Sequence, residues 1–129
     1  MSYNLGTRSK KNLRGVHKDL VRIVERAIRT TNQDFTVIEG RRTKARQKEL
    51  VKNGFSKTMN SRHLTGHAVD IIPYPIPADW RKYTHKQWQE IAKAMLEAAD
   101  FYGVDLEWGF AEWGWDKPHY QLSWQEYPR

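Results

Sequence analysis

The chain has 129 residues and no cysteine, and 22 lysines and arginines against 15 acidic residues give it a net charge of +7. That length fits one domain and leaves no room for two of ordinary size, and the missing thiols exclude disulfide frameworks, cysteine nucleophiles, iron–sulfur clusters and thiolate zinc fingers. No apolar run approaches the ~20 residues that span a membrane, and the polar, basic start from Met1 to Arg14 has no apolar stretch behind it to serve as a signal peptide, so a soluble globule made in the cytoplasm is expected.

Taken in chain order, residues 1–12 read as a basic N-terminal arm. Leu13, Val16, Leu20, Val24, Ala27 and Ile28 follow at helical spacing, which predicts an amphipathic helix over 13–29 with Arg22, Arg26 and Arg29 on its wet side. His17 falls within that helix as a half-buried packing residue. Phe35 to Glu39 is short, β-branched and stopped by Gly40, a strand. Thr43 caps a second helix running to Val51 or Lys52, with Asn53-Gly54 as its stop. Lys57 to Thr65 is polar and irregular, and Ala68 to Ile72 has strand character. Pro73, Pro75 and Pro77 then impose an extended surface loop. Thr84 and Gln87 form a capping-box pattern that opens a third helix, which Gly103 ends. His85 is a surface residue at its start. Two short strands complete the chain, within 104–108 and 119–122. The order predicts an α+β fold, a small and mostly antiparallel sheet packed with about three helices. Most rings of the tryptophan-rich tail, Trp108, Trp113, Trp115 and Trp124, are expected in the core, with one or two left to wall a groove.

Two segments carry residues that local structure does not explain. The first is Ser61-Arg62-His63-Leu64-Thr65-Gly66-His67-Ala68-Val69-Asp70, and the second is Trp115-Asp116-Lys117-Pro118-His119-Tyr120-Gln121-Leu122. Imidazoles with a carboxylate and no thiolate are the ligand chemistry of a catalytic zinc. Asp70 lies amid an apolar strand, where a carboxylate is costly unless paired or metal-bound. Residue chemistry alone leaves both a metal ligand and an ion pair with an arginine open. Asp116 and His119 belong to a turn entering a strand, because Pro118 biases Lys117 toward extended geometry.

The pattern Ser61-x-His63-x-x-Gly66-x-Ala68-x-Asp70, followed by Asp116-x-x-His119, resembles the zinc D,D-peptidase family of peptidoglycan enzymes. The Glu39-Gly40-Arg41-Arg42-Thr43 turn, with Gln47 and Leu50, is similar to that family's Gly-x-Arg-Ser/Thr segment. Asn60 to His63 and Pro118 to Leu122 are nearest to the short bacteriophage endolysins that act as L-alanyl-D-glutamate peptidases. Asp116 stands where the dipeptidase branch has Glu. The resemblance spans about residues 35–122. It implies the hedgehog-like fold of the zinc D,D-peptidases and one zinc ion held by His63, Asp70 and His119. It also implies Asp116 as general base and then acid, Arg42 as the cation facing a developing oxyanion, and Ser61 lining the site or steadying a substrate carboxylate. His67 matches no ligand position and reads as second to the metal ligands or as surface.

A single catalytic domain over 1–129, with no separate wall-binding domain, is the resulting expectation. So is an endolysin that cleaves the L-Ala–D-Glu bond of the peptidoglycan stem peptide after release through a separate membrane-permeabilising protein. A D-alanyl-D-alanine carboxypeptidase on the same scaffold is the nearest alternative. A basic nucleic-acid-binding domain is the other, though no recognised nucleic-acid motif is present. The chain is expected to be a monomer that neither enters a membrane nor binds nucleic acid.

Overall fold

The computed structural model describes residues 2–128. Its five α-helices are α1 (Thr7–Asn12), α2 (Lys18–Thr30), α3 (Lys44–Lys52), α4 (His85–Tyr102) and α5 (Gly109–Trp113). Four strands, β1 (Phe35–Glu39), β2 (Ala68–Pro73), β3 (Leu106–Trp108) and β4 (His119–Leu122), make one antiparallel sheet in the order β1-β2-β4-β3. Two 3-10 turns, Arg62–Thr65 and Trp80–Lys82, complete the fold. The α+β architecture with a small antiparallel sheet is as the sequence predicts.

Local signals set most boundaries. Thr84 accepts the Gln87 amide and the Gln87 side chain returns to the Thr84 amide, while Gly103, at φ +68°, ends α4. Thr43 caps α3 with a single bond, its side chain accepting the Arg46 amide. α2 buries Leu20, Ile23, Val24, Ala27 and Ile28, and α4 buries Trp88, Ile91, Ala92, Met95, Ala98 and Ala99. These faces meet each other and the sheet residues Val37, Val69, Ile71, Tyr120 and Leu122 in one apolar core. Each fully buried Leu or Ile there contributes roughly 1.5–3 kcal/mol.

Three expectations are corrected. The helix predicted over 13–29 begins only at Lys18, and His17 is its N-cap rather than an interior packing residue, its Nδ1 accepting the Asp19 amide at 3.1 Å. The break has a tertiary cause. Gly15 turns the chain at φ +80° so that His17 N–H donates to Gly66 O at 2.7 Å, and a Cβ on Gly66 would lie 2.3 Å from Gly15 O. Secondly, the segment read as a basic arm carries α1, which covers the outer edge of β1; Met1 lies outside the described residues. Ser9 Oγ accepts Val37 N–H and Asn12 Nδ2 donates to Val37 O, each at 2.9 Å, so the outward backbone groups at the middle of the edge strand are satisfied. Thirdly, of the four tail tryptophans only Trp108 is buried; Trp113 is 46% exposed, Trp115 68% and Trp124 41%. α5, unforeseen in the sequence, carries Trp113 out of the core.

Candidate functional site

The site forms on the sheet face opposite the main core, where β2 and β4 pair. Asp70 and His119 are direct cross-strand partners, so their side chains rise side by side. His63 arrives from the 3-10 turn that precedes β2. Ser61 caps that turn, its Oγ accepting the His63 amide at 3.2 Å, and Gly66 closes it at φ +75°. Arg42 N–H donates to His63 O at 2.8 Å and ties the turn to the segment after β1.

His63 Nε2 and His119 Nδ1 each lie 3.2 Å from the same oxygen, Asp70 Oδ1. Their outer nitrogens are held by acceptors: His63 Nδ1 by Gly40 O and His119 Nε2 by Gln121 Oε1, both at 2.8 Å. An acceptor requires a hydrogen on the outer nitrogen, so each neutral ring turns a lone pair inward. Two imidazole lone pairs and a carboxylate oxygen thus converge, all within 4.8 Å of one another. Such convergence is repulsive unless a cation or protons lie between the atoms. The 3.2 Å spacings also match the edge of about 3.3 Å that a tetrahedron of ~2.0 Å zinc bonds would have. The donor set therefore fits a metal ion, and no other such group of three occurs among the described residues.

Asp70 divides its two oxygens between different neighbours. Oδ1 faces the imidazoles, and Oδ2 lies 3.7 Å from Arg42 Nη2. Arg42 is itself anchored, with Nε and Nη2 donating to the two oxygens of Glu39 at 2.8 Å each and Nη1 to Gln47 Oε1 at 2.6 Å. Three of its five N–H groups are thereby used. Gln47, fully buried, passes the connection on to Ser56 Oγ at 2.8 Å and Thr58 O at 2.6 Å. A β-bulge between Val37 and Glu39 brings Glu39 into register with Asp70.

Titration follows from this packing in the metal-free chain. Burial pushes the Asp70 carboxyl up, but the His63 charge and hydrogen bonds from both imidazoles outweigh it and hold the group far below the usual carboxylate range. Burial pulls His119 down, and its hydrogen bond and charge interaction with Asp70 reverse this, so its net pKa is raised. Asp116 is raised, chiefly by burial. Its loop is fixed from three sides. Trp108 Nε1 donates to Lys117 O at 2.7 Å, Ile71 N–H donates to Pro118 O at 2.9 Å, and Gly109 packs so closely that a Cβ there would lie 2.4 Å from Asp116 O.

His63, Asp70 and His119 are thus brought together, with Arg42 against Asp70 and Asp116 within electrostatic reach of His119, Asp70 and His63. Ser61 supports the turn that carries His63. His67 stands apart from this group, its Nδ1 2.6 Å from Thr65 Oγ1 and its ring 5.4 Å from that of His17. Glu39 and Gln121 lie within the sequence motifs but have no role assigned by them, and Glu107 and Gly109 lie in none. Strand alternation alone puts Gln121 on the face of His119; the other three depend on strand pairing or close packing.

Comparison with known proteins identifies the family. A family model described as phage L-alanyl-D-glutamate peptidase matches residues 1–123. The L-alanyl-D-glutamate peptidase of Escherichia phage T5 is 32% identical over 117 residues, which cover 88% of this chain and 83% of that protein. The peptidase of the same name from Listeria phage A118 is 33% identical over 98 residues, 73% of this chain and 32% of that longer protein. The crystal structure of the Serratia marcescens L-Ala D-Glu endopeptidase ChiX shares the fold with a TM-score of 0.85 at 42% identity, over 100% of this chain and 95% of that one. By its sequence match, its architecture and its convergent His–Asp–His donors, the chain belongs to the phage L-alanyl-D-glutamate peptidase family.

Proposed function

We propose that the protein is a zinc-dependent endolysin that hydrolyses the L-Ala–D-Glu bond of the peptidoglycan stem peptide. The observation that carries this reading is the convergence of His63 Nε2, Asp70 Oδ1 and His119 Nδ1 in a member of this peptidase family. In this reading those three side chains hold one Zn²⁺, which when bound polarises the scissile carbonyl and acidifies water. Asp116 takes a proton from the attacking water and delivers it to the departing D-Glu amine, so the proton balance closes within one residue. Arg42, with two N–H groups not taken by Glu39 or Gln47, faces the developing oxyanion, a role in which one donor is worth on the order of 10²- to 10³-fold in rate. Ser61 steadies a substrate carboxylate, and the exposed rings of Trp113 and Trp115 wall the groove.

Residues 1–129 act as one catalytic domain and as a monomer. After synthesis in the host cytoplasm it reaches the wall through a lesion opened by a separate membrane-permeabilising protein. A cleft of about 690 Å³ lined by Arg14, Arg41, Arg42 and Lys44 suits the carboxylates and phosphates of that wall. No helix among the described residues is long and apolar enough to cross a membrane.

Mass analysis of products from purified peptidoglycan, with and without chelator, tests the proposal. New D-Glu N-termini that appear only with metal are expected. Release of terminal D-Ala alone would overturn the endopeptidase reading in favour of a carboxypeptidase.

A further inference from the structure

The two histidines of the centre are held in different ways, and the difference points to two residues without an assigned role. His63 leans on Gly40 O, a backbone carbonyl that offers only an acceptor. His119 leans on the side-chain amide of Gln121, which presents an acceptor or a donor according to a half-turn about its last bond. One orientation demands a hydrogen on His119 Nε2, and the other demands a lone pair there. Something must select between them.

Glu107 stands in position to do so. It is the cross-strand partner of Gln121, and its Oε1 accepts from Gln121 Nε2 at 2.9 Å. A carboxylate only accepts, so it admits the NH₂ end of the amide and turns the carbonyl end toward His119. That carbonyl, 2.8 Å from Nε2, in turn requires the ring hydrogen on Nε2. A neutral imidazole carries one such hydrogen, so Nδ1 keeps its lone pair on the side of Asp70 Oδ1, 3.2 Å away. Gln121 is buried, which removes water as a competing partner for its amide.

We infer that Glu107, acting through Gln121, fixes the tautomer of His119 and so decides which of its nitrogens is offered to the metal. Both are positioning residues, since neither touches the reacting atoms. The inference rests on the proposed metal site, but its first step, carboxylate to amide to ring, exists without any ion.

The test combines a donor for an acceptor with a rescue. Glu107→Lys places a donor opposite Gln121, reverses the amide and leaves the lone pair on Nε2. Zinc affinity, measured by competition with a chromophoric chelator, is expected to weaken by about 10- to 100-fold. In the metal-free protein at alkaline pH, ¹⁵N-resolved spectra of the ring are expected to move the His119 hydrogen from Nε2 to Nδ1. Adding Gln121→Glu to Glu107→Lys supplies an acceptor to both the ring and the ammonium, and should return the hydrogen to Nε2 and affinity toward the parent value. An unchanged tautomer and unchanged affinity in Glu107→Lys, or a double variant no better than the single one, overturns the inference. Should Glu107→Lys fail to fold, Glu107→Gln keeps the shape but lifts the acceptor-only restriction. Both tautomers are then expected, and a pure Nε2–H form overturns the inference. If the parent protein itself takes up no zinc, the proposed function falls, and the spectra still decide the relay.

Discussion

Alternate residues of the same strands build two unlike surfaces. On β2, Val69 and Ile71 enter the core between the sheet and helices α2 and α4, while Asp70 between them faces the histidines. On β4, Tyr120 and Leu122 join the core, while His119 and Gln121 join the site. The core face is held by nondirectional burial, so its residues are interchangeable within limits of volume. The site face is held by directional bonds in which each donor has a named acceptor, from Glu107 to Gln121 to His119 and from Gln47 to Arg42 to Glu39. Over residues 69–71 and 119–122, stability and chemistry therefore separate by the parity of a residue along its strand, whereas Ile72, on the parity of Asp70, joins the core as well.

The sharpest way to break this separation is to compare His119→Ala with Ile71→Ala. Loss of a ligand is expected to abolish zinc binding and lysis while shifting the melting temperature of the metal-free chain less than the core variant does. Ile71→Ala should cost about 2–5 kcal/mol in denaturant unfolding and keep the metal. Equal destabilisation by both would show that the faces are not independent.

Asp116→Asn comes next, with kcat expected to fall by about 10²- to 10⁴-fold and zinc retained. Because the folded-state pKa of Asp116 is raised, its ionised form is disfavoured by folding at neutral pH. The neutral amide should therefore unfold at a slightly higher temperature than the parent in chelator. A lower melting temperature would contradict the burial described above.

Gly109→Ala sits at the boundary between the two surfaces. Its new Cβ collides with Asp116 O, so the carboxylate must shift, and a displacement near 1 Å typically costs about 10²-fold. Steady-state kinetics should show the loss in kcat more than in KM, with metal content unchanged.

The smallest effect is on pH. In chelator, the raised pKa of His119 contributes stability that is complete below about pH 6.5 and is lost as pH rises through its folded-state value. The depressed pKa of Asp70 contributes stability present above about pH 4 and lost only at much lower pH. The metal-free chain should thus melt highest between those limits. Zinc needs the deprotonated imidazoles, so the gap in melting temperature between loaded and stripped protein should widen from mildly acid to alkaline pH. A constant gap would argue against these ligands.

What the sequence made legible was local. Thr43, Thr84 with Gln87, Gly103 and the β-branched run at Phe35 to Glu39 each act within a few residues, and the elements they mark stand where expected. The break at Gly15 was not legible, because the periodicity of Leu13 and Val16 continues through it and only contact with Gly66 interrupts the helix. Nor was the exposure of Trp113 and Trp115, which follows from the short helix α5 and not from the apolarity of the rings. Within the site, residue chemistry takes Asp70 only as far as a choice between metal and arginine, and the proposed ligand set comes from the resemblance to a family. Glu107 could not be found from spacing at all, since its partner Gln121 is assigned by strand register.

The surplus residue in β1 has a further meaning. Up to Val37 the strand alternates in step with β2, and continuing that count would deliver Glu39 to the oily interior beside Val69. One uncounted position, Ile38, resets the phase and delivers the acid to Arg42 instead. The arginine clamp thus depends on chain length more than on side-chain identity here, and a single-residue insertion at this point is a graver lesion than most substitutions around it.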